Sequence, residues 1–201
     1  FTNSNGEVVP ASLIITDSAT GRTLSEDIDD KGSYSFNNLR SGEYNIEASF
    51  QNQKISLKDA NIANDNLSLR AEKLTGTDLS GLTPTNITNE RIIGIGVDTD
   101  LTPASSTIQL NYSGEDIPSN YDIEDLQIAR CGNYDYDALR CDSTDFELID
   151  IDTLDINKGL KLINVDTEGF SSYTLFAPAE QQETQEEEEQ DTSSGGGGGG
   201  G

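Results

Sequence analysis

Aspartates are the residues of this 201-residue chain whose type and spacing best fit a site for a metal ion. They recur in the segments GVDTD, NYDYD and CDSTD, where the candidate ligands are Asp98, Asp100, Asp135, Asp137, Asp142 and Asp145. Calcium takes six to eight oxygen ligands, and alternate aspartates on a loop supply such oxygens. The same spacing also fits a solvated strand face, because alternate residues of a strand point to one side. We therefore predict no cofactor, with calcium as the one candidate left open.

The residue types that most enzymes use for proton transfer are missing. The chain has no histidine, so no Ser-His-Asp triad can form. Two carboxylates in a cleft can hydrolyse a glycosidic bond, but no apolar segment surrounds such a pair and no tryptophan is present to stack on sugars. Gly94 and Gly96 occur within a strand pattern, where a bulge or a close approach is expected instead of a phosphate loop. We predict that the protein is not an enzyme.

The two cysteines and three glycosylation sequons indicate an exported protein. Cys131 and Cys141 flank the polar segment GNYDYDALR, whose turn-forming residues can bring the two ends together. A disulfide there should stabilise the fold by about 2.5 to 3 kcal/mol and needs an oxidising compartment; two reduced, buried thiols are the alternative. The candidate N-glycosylation sites are Asn66, Asn86 and Asn111. An extracellular or cell-surface location is predicted.

The charge of the chain limits its partners. The formal net charge is −25, and seven acidic residues with no basic ones lie from Glu180 onward, which leaves −18 for the rest. Such a field repels nucleic acid and anionic lipid and favours hydrated cations and basic partners. No run of 18 apolar residues occurs, so we predict neither a nucleic-acid partner nor direct membrane insertion of this segment.

Period-two alternation of apolar and polar residues predicts an all-β protein. In EYNIEASF, the residues Tyr44, Ile46, Ala48 and Phe50 share one face, and polar residues share the other. The same pattern recurs between turn signals in ASLIITD, GSYSFNNL, KISL, NLSLRA, RIIGIGV, STIQLNY, DLQIARC, DFELIDI, LKLINV and FSSYTLFAP. Short strands at intervals of about ten residues are typical of β-sandwiches.

The first part of the chain resembles the carboxypeptidase regulatory-like, or transthyretin-like, β-sandwich. The resemblance covers about residues 1–72 and rests on Gly6, Val8, Ala11, Thr20-Gly21, Asp29 or Asp30, Gly32, Tyr34, Phe36, Leu39, Gly42 and Tyr44. It implies a small all-β module that supports or displays other parts and has no active site of its own.

The second part resembles a β-module found toward the carboxyl ends of archaeal and bacterial surface proteins. The matching residues are Ile108, Leu110, Tyr112, Leu126, Ile128, Arg130, Phe146, Leu148, Phe170, Ser171 and Tyr173, and Phe146 stands where such modules often have tryptophan. We predict two tandem Ig-like or transthyretin-like β-sandwiches, residues 1–74 and 91–179, joined by a connector at 75–90. An acidic, glycine-rich tail at 180–201 is expected to be disordered.

These features favour three functions, and in none of them does this chain catalyse a reaction. The first is an extracellular structural protein that self-associates as a subunit of a surface filament, pilus-like fibre or surface layer. The second is an adhesive module that is displayed on a larger cell-surface protein and binds a glycan or a protein. The third is an accessory domain of a secreted hydrolase.

Overall fold

Antiparallel β-structure accounts for the regular elements of the protein. The computed structural model describes residues 1–3, 7–28, 39–63, 68–75, 90–138, 140–141, 146–167 and 171–178. The strands in these ranges are Ala11–Asp17 (β1), Thr23–Ile28 (β2), Gly42–Phe50 (β3), Gln53–Ile62 (β4), Leu69–Leu74 (β5), Glu90–Thr99 (β6), Ser105–Asn111 (β7), Gln127–Cys131 (β8), Tyr134–Asp135 (β9), Arg140–Cys141 (β10), Phe146–Asp150 (β11), Asp155–Asn157 (β12), Leu162–Thr167 (β13) and Ser172–Ala177 (β14). Two single-turn 3-10 helices, Ile123–Asp125 and Ile151–Thr153, are the only helices in the described ranges. The predicted all-β class is confirmed.

The strands form two large sheets and one small hairpin. Seven strands pair in the order β12-β13-β7-β4-β3-β1-β2, and five pair in the order β11-β8-β14-β6-β5. The strands β9 and β10 form a separate two-stranded hairpin.

Each large sheet contains strands from both sides of the predicted connector. In the seven-stranded sheet β4 pairs with β7, and Ile55 lies opposite Ile108. In the five-stranded sheet β5 pairs with β6, and Ala71 lies opposite Val97. This arrangement differs from the predicted division into separate sandwiches at 1–74 and 91–179. The physical reason is that alternation shows which side chains point inward but does not select the partner strand.

Both sheets contribute to one cluster of buried apolar side chains. Ile46 and Ile55 of the seven-stranded sheet belong to the same cluster as Ile95 and Leu175 of the five-stranded sheet, and all four are fully buried. Burial of a side chain of this size stabilises a fold by about 1.5 to 3 kcal/mol. The inward residues predicted for EYNIEASF are all buried, because each alternates with a residue on the solvent face of β3.

Two local features fix the register of β3 and β4. Gln51 and Asn52 have positive φ values of 45° and 64° and form the two-residue connection of this hairpin. Farther along β4, Asp59 has φ 50° at a register shift, and its N–H donates to Asn45 Oδ1 at 3.0 Å. The hairpin therefore contains a β-bulge that an asparagine side chain satisfies.

Candidate functional site

The disulfide ring, which we define as residues 131–141, lies beside the end of the five-stranded sheet formed by β5 and β6. Cys131 and Cys141 form the predicted disulfide, with their Cα atoms 5.9 Å apart. Cys131 ends β8 and is fully buried, whereas Cys141 ends the short strand β10 and is half-buried. The disulfide thus connects the return strand of a surface hairpin to a strand of the core.

Tyr134 of the ring packs onto the outward side of β5 and β6. A Cβ atom added at Gly96 would overlap Cε1 of the Tyr134 ring, so the contact needs glycine. The aromatic ring of Tyr134 also packs against fully buried Leu74. The Tyr134 hydroxyl donates to the carboxylate of Glu72, which is 1% exposed. The close approach predicted from GIG occurs at Gly96, where the approaching group is a tyrosine ring.

Arg70 of β5 contacts the disulfide ring through its guanidinium group. Its guanidinium lies 4.0 Å from the centroid of the Tyr136 ring, a cation–π contact. Nη2 donates to Asp137 Oδ1 at 2.8 Å, and Nη1 lies 3.5 Å from Asp98 Oδ2. On the far side, the Tyr136 hydroxyl is hydrogen-bonded to Thr2 Oγ1 at 3.2 Å. Arg70 therefore connects Asp98 of β6 with Tyr136 and Asp137 of the disulfide ring.

The surroundings raise the pKa values of both tyrosines and of Arg70. Burial, followed by the Glu72 carboxylate, raises the pKa of Tyr134 far above its ordinary value, and burial also raises the pKa of Tyr136. The hydrogen bond to Asp137 raises the pKa of Arg70. Both phenols therefore stay neutral at physiological pH, and the Tyr134 hydroxyl donates to the Glu72 carboxylate.

The predicted calcium ligands are bonded to groups of the protein itself. Asp98 and Asp137 share the Arg70 guanidinium, so the cation between these two carboxylates is an arginine. Asp100 accepts the N–H of Ser68 at 3.3 Å, and Asp135 accepts the N–H groups of Asp137 and Ala138 at 3.0 Å each. In the described residues no three His, Cys, Asp or Glu side chains gather as a metal site would require. Asp142 and Asp145 lie outside the described residues.

Two grooves of the protein offer polar walls to a ligand. One, of about 500 Å³, lies between the end of β6 and the ring and is lined by Asp98, Thr99, Thr102, Asn133, Tyr134 and Ser171, among others. The other, of about 650 Å³, is lined mainly by Ser56, Thr107, Glu147, Thr153, Asn164 and Asp166. Their hydroxyl, amide and carboxylate groups can hydrogen-bond a polar molecule.

One of the three sequons lies in the described residues. Asn111 ends β7, and its Oδ1 accepts the N–H of Ser113 at 2.9 Å, so the sequon Asn111-Tyr112-Ser113 forms a turn at the strand end. Its side chain is half-buried and Ser113 is exposed. Asn66 and Asn86 lie outside the described residues, as do the tail and most of the connector.

Sequence reasoning missed the residues of β5 that receive the ring. Arg70, Glu72 and Leu74 alternate along β5 and therefore share its outward side. One sequence signal indicated that this side of β5 is covered. A leucine alternates there with an arginine and a glutamate, whereas a fully solvent-exposed strand face would have only polar residues. This signal could not identify Tyr134, Tyr136 and Asp137 as partners, since these lie more than 60 residues away.

The chain matches no protein-family model and no curated protein sequence. In the described ranges no helix has the length and apolar character needed to span a bilayer.

The buried tyrosines predict that stability falls in alkali. Burial raises the pKa of Tyr134 and of fully buried Tyr173 in the folded protein, whereas tyrosine in the unfolded chain ionises near pH 10. Above about pH 10 the unfolded state therefore binds fewer protons than the folded state, so each such tyrosine lowers the free energy of unfolding by about 1.4 kcal/mol per pH unit.

Urea denaturation between pH 8 and pH 11 measures this effect, with Tyr134→Phe as the comparison. We expect the wild-type stability to fall more steeply than that of Tyr134→Phe above about pH 10. A difference between the two proteins that stays constant across the series would contradict the burial of an ionisable phenol at this position.

Proposed function

We propose that this chain is a non-enzymatic extracellular structural protein, a subunit of a surface filament, pilus-like fibre or surface layer. The observation that carries the proposal is that early and late residues belong to one sheet. Thr2 bridges to Glu72 of β5, and β14 pairs with both β6 and β8. A force applied between Thr2 and Ala177 would therefore act across backbone ladders of the five-stranded sheet, which suits a subunit that transmits load.

The disulfide supports the extracellular part of this proposal. A disulfide that closes a surface hairpin persists in oxidising environments and is rare in the cytosol. The acidic surface supports solubility and repulsion from anionic lipid and nucleic acid. Glycosylation of Asn111, at a turn that ends β7, is part of the same proposal.

The acidic side chains support a structural instead of a catalytic role. Glu47 pairs with Lys54 at 2.9 Å, Glu115 with Lys73 at 2.7 Å, and Glu147 with Arg130 at 2.7 Å. Each of these carboxylates is therefore partnered by a cation of the protein itself, which suits a role in holding the surface of the fold together.

Self-association is proposed to use side-chain surfaces and not the open edges of the sheets. Charged residues occupy core-side positions on three edge strands: Glu26 of β2 lies opposite Leu13, Lys73 of β5 opposite Ile95, and Glu147 of β11 opposite Arg130. An inward-pointing charge on an edge strand opposes the addition of a further strand, because pairing would bury it. Faces and loops of the body remain as the contact surfaces.

We also propose, as the finer description of the fold, that residues 1–72 follow the carboxypeptidase regulatory-like pattern within this larger body. Support comes from β3, where Tyr44 is buried, and from the turn after β1, where Gly21 has φ 70°. The pattern residues Gly32, Tyr34 and Phe36 lie outside the described residues.

Electron microscopy and light scattering of the purified full chain test the structural role. We expect concentration-dependent assembly into fibres or sheets of one repeating subunit, with the disulfide intact. A chain that stays monomeric at the highest soluble concentration, with no ordered particles, would contradict the proposal.

The groove of about 650 Å³ favours a second candidate, a displayed module that binds a glycan or a protein. Its hydroxyl and amide groups are suited to a polyhydroxylated ligand, and Leu154 and Ile149 add apolar surface. Binding of the monomeric chain to a glycan array, lost in Asn164→Ala and retained in Asn61→Ala, would favour this candidate. Both asparagines are strand residues, Asn61 in β4 and Asn164 in β13, but only Asn164 lines the groove.

A further inference from the structure

We propose that the disulfide ring is a redox-sensitive clasp that closes the β5 edge of the five-stranded sheet. Reduction of Cys131–Cys141 by a dithiol opens this edge while the remainder of the two-sheet body stays folded. The inference does not depend on the proposed function, since it rests only on contacts between the ring and β5.

The disulfide ring contacts the three outward side chains of β5, which are Arg70, Glu72 and Leu74. Tyr134 bonds Glu72 and packs on Leu74, while Tyr136 and Asp137 both contact Arg70. Because β5 is an edge strand, its only ladder partner in the described residues is β6. Its attachment to the sheet is therefore supplemented from the solvent side by the ring.

The ring also secures the short segment that lies along the free edge of β5. The N–H of Thr2 donates to the carbonyl of Ala71 at 3.0 Å, and the N–H of Lys73 donates to the carbonyl of Thr2 at 3.3 Å. The hydrogen bond between Thr2 Oγ1 and the Tyr136 hydroxyl joins this segment to the ring. Release of the ring would remove support from β5 and from the residue that covers its edge.

The hairpin within the ring is too small to hold its position without the disulfide. The strands β9 and β10 pair over two residues only, Tyr134 with Cys141 and Asp135 with Arg140. An isolated two-stranded hairpin is at best marginally stable in water. The link to Cys131, which is fully buried at the end of β8, anchors the hairpin to the core.

The difference in burial between the two cysteines sets the direction of the reaction. A thiolate of the dithiol attacks Sγ of half-buried Cys141, the Sγ–Sγ bond breaks, and Cys131 leaves as a thiolate that takes up a proton. The second thiol of the reductant then displaces Cys141 from the mixed disulfide. The dithiol gives up two electrons and becomes a disulfide, and the protein gains two thiols.

Hydrogen exchange of the full chain, measured by mass spectrometry with and without dithiothreitol, tests the clasp. A gain of two hydrogens in the intact mass verifies reduction. We expect the amides of Leu69–Leu74 to exchange at least about tenfold faster after reduction, while those of Gly42–Phe50 and Gln53–Ile62 keep their rates. Unchanged exchange in β5 of fully reduced protein would overturn the proposal, and so would equal acceleration in all strands.

A variant with the disulfide intact separates the clasp from a general effect of reduction. Tyr136→Leu removes the cation–π contact and the bond to Thr2, and we expect it to accelerate exchange in β5 several-fold without dithiothreitol. Tyr121→Leu is the matched control, since Tyr121 is another half-buried tyrosine that packs on the core elsewhere. Equal β5 rates in the two variants would count against the clasp.

Discussion

Replacement of Ile108 by alanine is expected to lower the free energy of unfolding by about 2 to 5 kcal/mol. Ile108 is fully buried in β7, where it lies opposite Ile55 of β4 and Val165 of β13. The substitution would leave a cavity among strands from both sides of the connector. Urea denaturation monitored by circular dichroism measures the change.

The adjacent residue provides the control. Thr107 lies on the opposite side of β7, where its hydroxyl donates to Asp166 Oδ1 at 2.7 Å near the surface. Thr107→Ala removes one exposed hydrogen bond, so a loss of about 1 kcal/mol or less is expected. Equal effects of the two substitutions would mean that β7 does not have the register described above.

Replacement of Gly96 by alanine is expected to destabilise the protein by about 1 to 3 kcal/mol, although only one methyl group is added. The new Cβ would overlap the Tyr134 ring, which cannot move away without losing its contact with Leu74 and its bond to Glu72. Gly114→Ala is the control, because nothing lies within 4 Å of a Cβ at that position. Its effect should stay within about 0.5 kcal/mol.

A double-mutant cycle identifies Tyr134 as the cause. In a Tyr134→Ala background the added methyl group meets no ring, so Gly96→Ala should cost less than in wild type, with a coupling of about 0.5 to 3 kcal/mol. Additive effects would show that the cost of Gly96→Ala comes from the backbone of β6 and not from the clasp.

The sequence predicted individual strands well where alternation was clear. The segment EYNIEASF lies within β3, and ASLIITD coincides with β1, because four and three apolar residues, respectively, occupy alternate positions in them. The strand β2, TLSEDI, was missed since only Leu24 and Ile28 are apolar. The three residues of β12 are too few to produce a pattern.

Partner strands could not be predicted in the same way. The apolar faces of β4 and β7 are as compatible with separate sandwiches as with one shared sheet, because burial per side chain is the same in both. Pairing of Ile55 with Ile108 depends on long-range geometry that no local spacing encodes. The consequence was a predicted boundary at 75–90, which both sheets cross.

The candidate site was predicted in part. The disulfide followed from two cysteines flanking turn residues and is confirmed. Asp98 and Asp137 were two of the six candidate calcium ligands, taken from separate clusters. Both contact Arg70, and the spacing of carboxylates along the sequence does not reveal that a side chain of another strand lies between them. The glycine at 96 indicated a close approach without revealing which ring makes it.

Differential scanning calorimetry of the full, disulfide-intact chain is the most direct test of the claim that strands from both sides of the connector form one body. The ladders β4–β7 and β5–β6 join these strands, so they should unfold together. A single transition is expected, in which the calorimetric and van't Hoff enthalpies agree. Two separate transitions, one assigned to residues 1–74 and the other to residues 91–179, would contradict it.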